Sequence, residues 1–128
     1  MNPEIRLLQF FFCSSFRQLK QDSFAAEGLL TNLYVSRFPF YFPTLYAVTC
    51  WQKDKRFHKE VIEYSTDYGA SIRSPHMDIE PVVDSVLFRW HTHQFPTDFP
   101  IEKASLLTVR VLLDGKPVFE SSLLIEKK

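Results

Sequence analysis

Apolar and polar residues alternate most clearly near the end of the chain, between Leu106 and Ile125. Two alternating runs, LLTVRVLL and VFESSLLI, are joined by Asp114-Gly115-Lys116-Pro117. An Asp-Gly pair between such runs is typical of a tight β-hairpin, because glycine accepts the positive φ that the turn requires. Side chains on a strand point alternately to opposite faces. The pattern therefore predicts a core-facing side of this hairpin that consists of Leu107, Val109, Val111, Leu113, Phe119, Ser121, Leu123 and Ile125.

The same two-residue period continues over most of the chain and predicts about eight strands. They lie near residues 4–13, 25–36, 44–52, 58–66, 70–79, 85–94, 103–113 and 117–126. No window has convincing helical spacing, and Ser14–Ser23 is interpreted as a loop or a single turn. The pattern predicts one all-β domain, residues 1–128, folded as an antiparallel two-sheet sandwich of about seven to nine strands. A partly open barrel is the alternative.

The composition fits a packed domain and excludes several classes of function. The 128 residues are 45% hydrophobic and 16% aromatic, which favours a β core over disorder. Fifteen basic residues balance fifteen acidic ones, so the net charge gives no long-range attraction for nucleic acid or for a membrane surface. The three glycines, Gly28, Gly69 and Gly115, do not form a phosphate-binding loop. We expect no cofactor, no nucleic-acid partner and no membrane partner.

The cysteines and the first apolar run indicate where the protein is found. Cys13 and Cys50 are too few for a disulfide framework and have no C-x-x-C spacing. The run Leu7–Cys13 is short, contains Gln9 and is followed by no small-residue cleavage site, so it is interpreted as neither a signal peptide nor a membrane span. These features predict a reducing, cytoplasmic location. Both cysteines are interpreted as buried apolar side chains.

One proline pattern occurs twice, as F-P-x-x-F-P at residues 38–43 and 95–100. Proline removes a backbone donor and favours extended geometry in the preceding residue, so both copies are predicted to be extended connectors after strands. If the strands run antiparallel in succession, both connectors lie at the same end of the domain. Their aromatic side chains either close that end of the core or form an exposed patch of the kind that contacts partners. The candidate interaction surface consists of Phe40, Tyr41, Phe42, His91, His93, Phe95, Asp98 and Phe99.

An H-x-H pair, His91 and His93, lies in the predicted strand at 85–94, and both imidazoles would share one face. Two such side chains can bind one metal ion, but zinc needs at least a third protein ligand. The conceivable third ligands are unspecific: His76, Asp98 and Cys50. Because Val86, Phe88 and Trp90 occupy the opposite phase of the strand, that phase is predicted to face the core, and the histidines are predicted to face solvent without a metal.

The remaining charged groups give no specific sign of a site. The carboxylate pair Glu60 with Glu63 has little specificity, and Asp78 with Glu80 could share a strand face, which solvated outer positions explain. Lys53–Lys59 is a basic cluster with one aromatic residue, a combination that can bind single-stranded nucleic acid. The neutral net charge favours a soluble connector instead.

Several short elements together resemble a bacterial family of small uncharacterised proteins. They are Asp22-Ser23-Phe24 leading into Gly28-Leu29-Leu30, then Phe38-Pro39, Asp67-Tyr68-Gly69 and the closing Asp114-Gly115 hairpin. The resemblance covers nearly the whole chain and implies an immunoglobulin-like or C2-like sandwich, with no assigned reaction and no catalytic residues to transfer. The chain departs from the family pattern at Glu102-Lys103-Ala104-Ser105, ahead of the last hairpin.

We therefore predict a non-enzymatic module that contacts a protein partner or associates with itself. The alternative is a metal-binding protein or metal-dependent hydrolase that uses His91 and His93. A third possibility is a sandwich that binds a sugar or a lipid at its aromatic end.

Overall fold

A computed structural model describes residues 4–21, 23–83 and 86–128, and within these ranges the regular structure is entirely β-strand. The all-β prediction is confirmed. The strand count is wrong, since the described residues form eleven strands. They are β1 (Arg6–Cys13), β2 (Ser15–Gln18), β3 (Phe24–Glu27), β4 (Asn32–Val35), β5 (Tyr46–Gln52), β6 (His58–Ser65), β7 (Ser71–Arg73), β8 (Met77–Ile79), β9 (Phe88–Gln94), β10 (Ser105–Leu113) and β11 (Lys116–Lys127).

The strands form three sheets in a sandwich-like arrangement, instead of the two that were predicted. A three-stranded sheet has the order β1-β5-β9, and a six-stranded sheet has the order β4-β11-β10-β6-β7, with β8 also paired to β6. The third sheet is the hairpin of β2 and β3. The strands are not all antiparallel, because β4 pairs with β11 in parallel, with Leu33 opposite Ile125.

Two predicted strands are each divided in two, and one predicted loop contains a strand. The segment predicted at 25–36 is interrupted by Gly28, which has a φ of 67° and passes so close to Ser14 that a Cβ would collide with its hydroxyl. The segment predicted at 70–79 is interrupted at Pro75, which has no N–H to donate to a ladder. Ser14–Ser23, predicted as a loop, contains β2. The predicted start of the next strand at residue 85 lies outside the described residues.

The core lies between the three-stranded and six-stranded sheets. Leu107, Val109 and Val111 of β10 are fully buried, as the alternation predicts. Leu123 and Ile125 of β11 are also fully buried. Phe119 lies opposite Val111 on the same face, but it is 39% exposed and packs against Phe10 of β1. Apolar side chains from β5 and β6 complete the core: Ala47, Trp51, Ile62 and Tyr64.

The hairpin of β2 and β3 covers the outer face of the three-stranded sheet. Phe16 and Phe24 of the hairpin pack on Trp90 of β9, with ring centroids 5.6 and 5.3 Å away. Cys50 lies opposite Trp90 in the register and is buried, with its thiol free. The three-stranded sheet therefore has apolar material on both faces, and this decides where the side chains of β9 lie.

His58 joins two loops at one end of the sandwich. The imidazole is buried between two carboxylates: Nδ1 lies 2.6 Å from Asp114 Oδ2, and Nε2 lies 2.9 Å from Asp54 Oδ1. Asp114 also accepts the backbone N–H of Lys59 at 2.9 Å. Burial alone would lower the pKa of His58, but the hydrogen bonds and charges of Asp114 and Asp54 outweigh it and raise the pKa above 6.5.

We expect His58 to make the stability of the fold depend on pH. A raised pKa in the folded state means that the contribution is complete below the unfolded value of 6.5 and is lost as the pH rises through the higher folded value. The free energy of unfolding of wild type should exceed that of His58→Gln by about 1.5–3 kcal/mol near pH 6, the contribution typical of hydrogen bonds to charged groups, and by less near pH 9. Urea denaturation at several pH values measures this difference.

The matched control is His76→Gln, because His76 is an exposed histidine with a carboxylate at 3.6 Å. The free energy of unfolding of His76→Gln should differ little from that of wild type, because exposed ion pairs contribute little. If the free energies of unfolding of wild type and His58→Gln differ by the same amount from pH 6 to pH 9, the raised pKa of His58 does not contribute to stability as expected.

Candidate metal centre

The two Phe-Pro connectors meet at one end of the sandwich, as predicted. Phe40 and Ile101 exchange backbone hydrogen bonds of 2.8 Å in both directions. The Phe42 and Phe95 rings pack edge to face, with centroids 5.3 Å apart. Both of these side chains are buried, so the connectors close the core, which was the alternative reading of this pattern.

The candidate interaction surface is therefore reduced. Four of its residues are buried and offer no contact to a partner: Phe42, His91, His93 and Phe95. Phe40 and Phe99 are partly buried against the core. Tyr41 and Asp98 are exposed.

His91 and His93 face the core, which corrects the prediction that they face solvent. Only 8% of His91 and 2% of His93 is exposed. The histidines lie opposite Thr49 and Ala47 of β5 and share the inner face of the sheet with them. The phase was misassigned because the outer face of β9 also carries apolar side chains. Trp90 packs there under the β2–β3 hairpin, and Phe88 on the same face, predicted to be inside, is exposed.

Glu60 of β6 lies across the core from the two histidines, and no specific role was predicted for it from the sequence. Its side chain is fully buried. Glu60 Oε1 lies 2.7 Å from His91 Nδ1 and 2.7 Å from His93 Nε2. One potential ligand atom from each residue lies within 4.8 Å of the other two. The structure thus brings together the H-x-H pair and a carboxylate as a third ligand.

Neighbouring groups hold this centre in place. Thr49 donates its hydroxyl to Glu60 Oε1 at 3.0 Å, and Trp51 donates its indole N–H to Oε2 at 2.6 Å. The second ring nitrogen of His91, Nε2, lies 3.1 Å from the backbone carbonyl of Asp78. Metal-binding histidines usually donate their second N–H to a carbonyl or carboxylate, which fixes the ring. Thr49, Trp51 and Asp78 are therefore placed as supports of such a centre.

The centre keeps Glu60 ionised. Burial alone would raise its pKa, but hydrogen bonds from His91 and His93 and the charges of both imidazoles outweigh it and lower the pKa to about 2. The negative charge also acts on Tyr64, on the same face of β6: burial and the charge of Glu60 raise the pKa of Tyr64. An ionised carboxylate in the core is an available metal ligand.

The donors and acceptors around His91 suit a cation at Nδ1. Both of its ring nitrogens face oxygen acceptors, the carbonyl of Asp78 and the carboxylate of Glu60. A neutral imidazole has only one N–H and can donate to only one of these acceptors, so either a proton or a metal ion on Nδ1 is needed to satisfy both. A metal ion on Nδ1 would let Nε2 donate to Asp78 while the ring stays neutral, and it would bind the carboxylate as well.

The three ligands that sequence reasoning considered first do not join the centre. His76 is exposed next to Asp78, and Asp98 is exposed in the second connector. Cys50 lies on the opposite face of β5 from Thr49. Burial also raises the pKa of the Cys50 thiol to about 11, which disfavours the thiolate that binds metals.

Comparison with known proteins gives no relative: no family model, no curated protein and no solved structure matches the chain. Among the described residues, no helix is long and apolar enough to cross a membrane. The resemblance to a bacterial sandwich family, part of which rests on Asp22 outside the described residues, stays a prediction, as does its immunoglobulin-like or C2-like classification.

Proposed function

We propose that this protein binds a divalent transition-metal ion, best suited to Zn²⁺, through His91 Nδ1, His93 Nε2 and Glu60. The observation that supports this most is the convergence of three buried ligand atoms from two facing sheets within 4.8 Å. Imidazole and carboxylate are ligands that Zn²⁺ accepts, at bond lengths of about 2.0–2.2 Å. The metal would replace the hydrogen bonds that now join the two imidazoles to Glu60.

The proposed role of the ion is structural. Three protein ligands would leave one coordination position of Zn²⁺ to water, as in hydrolytic sites, but all three ligands here are buried, which does not favour access of a substrate. The ion would link β9 of the three-stranded sheet to β6 of the six-stranded sheet across the core. A reducing cytoplasmic location is part of this proposal, since Cys13 and Cys50 are unpaired thiols.

A metal titration tests the proposal. Protein purified without a histidine tag and freed of metal by a chelator should bind one Zn²⁺ per chain in calorimetry. A ligand that binds only the folded state stabilises it by about 2.7 kcal/mol when its free concentration is 100 times Kd. The melting temperature of wild type should therefore rise with Zn²⁺.

The variants separate this centre from surface binding. His91→Ala should lose both the stoichiometric binding and the rise in melting temperature, while His76→Ala, which removes an exposed histidine, should keep them. Absence of Zn²⁺ binding in wild type, or an equal loss in both variants, would refute the proposal.

A second candidate function is contact with a protein partner, most simply a second copy of this chain, at the edge of β9. This strand ends the sheet order β1-β5-β9, and Val86 and Phe88 beside it are about half exposed. An edge strand with exposed apolar side chains can pair with a strand of another chain. Light scattering should then show dimers of wild type and monomers of Phe88→Lys; a wild-type monomer at high concentration would remove this candidate.

A further inference from the structure

The loop between β5 and β6 and the turn between β10 and β11 form a positively charged end of the sandwich. We call this surface the basic end and define it by Lys55, Arg56, Phe57, Lys59 and Lys116, all of which are exposed. The two segments lie side by side, because Asp114 donates its backbone N–H to the carbonyl of Lys59 at 2.9 Å. Phe57 is 52% exposed in the middle of the cations.

The carboxylates at this end offset the cations only in part, because Asp54 and Asp114 share the imidazole of His58 between them. Asp54 and Asp114 both bind His58, and each also accepts a backbone N–H, from Arg56 and Lys59 respectively. Glu60 is turned into the core. Among the described residues, no carboxylate lies within 4 Å of the charged groups of Lys55, Arg56, Lys59 or Lys116.

The cations of the basic end come from three separate segments of the chain. Lys59 is on the outer face of the six-stranded sheet, since its neighbours His58 and Glu60 point inward. Lys55, Arg56 and Phe57 belong to the loop at the tip, and Lys116 begins β11. Because the cations come from separate segments and not from one continuous run, a broad negatively charged surface suits them better than a linear strand, and the exposed ring of Phe57 can enter such a surface.

We propose that the basic end docks this protein onto the surface of a membrane that contains anionic phospholipids. Lipid phosphates and carboxylates attract Lys and Arg close to the bilayer surface, and an apolar ring is buried at the boundary between headgroups and acyl chains. This departs from the expectation of no membrane partner, which rested on net charge: the chain is neutral as a whole, but the fold gathers cations at one end. The proposal is independent of the metal centre.

Vesicle flotation tests the docking. The full chain should float with vesicles of phosphatidylcholine and phosphatidylserine at low salt, should not float with phosphatidylcholine alone, and should detach as salt is raised. The double variant Lys55→Glu with Arg56→Glu should lower the partition coefficient more than tenfold, since each cation near the surface contributes about a fivefold factor. Phe57→Ala should lower it several-fold.

The matched control is the double variant Lys127→Glu with Lys128→Glu, because β11 runs from Lys116 at the basic end to Lys127 at its other end. This variant should bind within about twofold of wild type. Equal losses in the two double variants, or no flotation of wild type, would overturn the proposal. Binding of a single-stranded oligonucleotide through Lys55 and Arg56 without vesicle binding would also overturn it and would assign the surface to nucleic acid.

Discussion

Replacing Phe95 by alanine is expected to lower the free energy of unfolding by about 3–5 kcal/mol, the usual result of truncating a fully buried aromatic side chain. Phe95 is completely buried, and three aromatic rings surround it, with centroid distances of 5.3 Å to Phe42, 4.8 Å to Tyr64 and 5.6 Å to Phe99. The deletion leaves a cavity where the two connectors meet, and the neighbouring strands hold that cavity open. Urea denaturation followed by fluorescence measures the loss.

The matched control is Tyr41→Ala, an aromatic of the first connector that is 49% exposed. This substitution should change the free energy of unfolding by no more than about 0.5 kcal/mol, as most surface substitutions do. If Phe95→Ala is no more destabilised than Tyr41→Ala, the connectors do not close the core and the sequence-based reading of them as a partner surface regains support.

Replacing Glu60 by alanine is expected to cost about 3–5 kcal/mol in metal-free protein, because removal of one partner leaves buried polar groups without compensation. Four donors converge on this carboxylate, from Thr49, Trp51, His91 and His93. Alanine offers none of them an acceptor, and the core excludes the water that could replace it. The same variant should lose Zn²⁺ binding.

Glu63→Ala is the control, since Glu63 lies on the same strand but points outward to Arg73 and Arg110. Surface ion pairs of this kind contribute about 0–1 kcal/mol. Comparable losses for Glu60→Ala and Glu63→Ala would show that the carboxylate in the core is not the acceptor on which these four donors depend.

The C-terminal hairpin could be predicted from sequence because local signals specify it completely. Asp114-Gly115 supplies the positive φ of the turn, 51° and 84°, and the alternating runs supply the buried face. Phe119 keeps the predicted phase, opposite Val111, but it is 39% exposed, because alternation alone does not determine how well each position on a face is covered. The connectors were also predicted to share an end, by counting strands that run antiparallel in succession. They do meet at one end, although the described residues form more strands than that count assumed and β4 pairs with β11 in parallel.

The orientation of β9 could not be predicted, because it depends on an element far away in the sequence. Phe88 and Trp90 on one face and His91 and His93 on the other gave two possible phases, and hydrophobicity favoured the wrong one. The β2–β3 hairpin covers Trp90 with Phe16 and Phe24, which frees the opposite face for the core. The first strand of this hairpin, β2, lies in the segment that was interpreted as a loop or a single turn.

Glu60 was missed although the sequence contains a signal for it. Glu60 has the same phase as Ile62 and Tyr64, and both of these are buried. A carboxylate on the apolar phase of a strand needs donors nearby, and the H-x-H pair was the available source of them. Considering Glu60, on the apolar phase of its strand, together with the H-x-H pair would have predicted the centre.

Anomalous diffraction at the zinc edge, on crystals grown from zinc-loaded protein, tests the metal centre most directly. We expect one strong peak between Glu60 and the two histidines, with Zn–N distances of about 2.0–2.1 Å. Zinc peaks at surface sites alone, with both imidazoles still hydrogen-bonded to Glu60, would contradict the account.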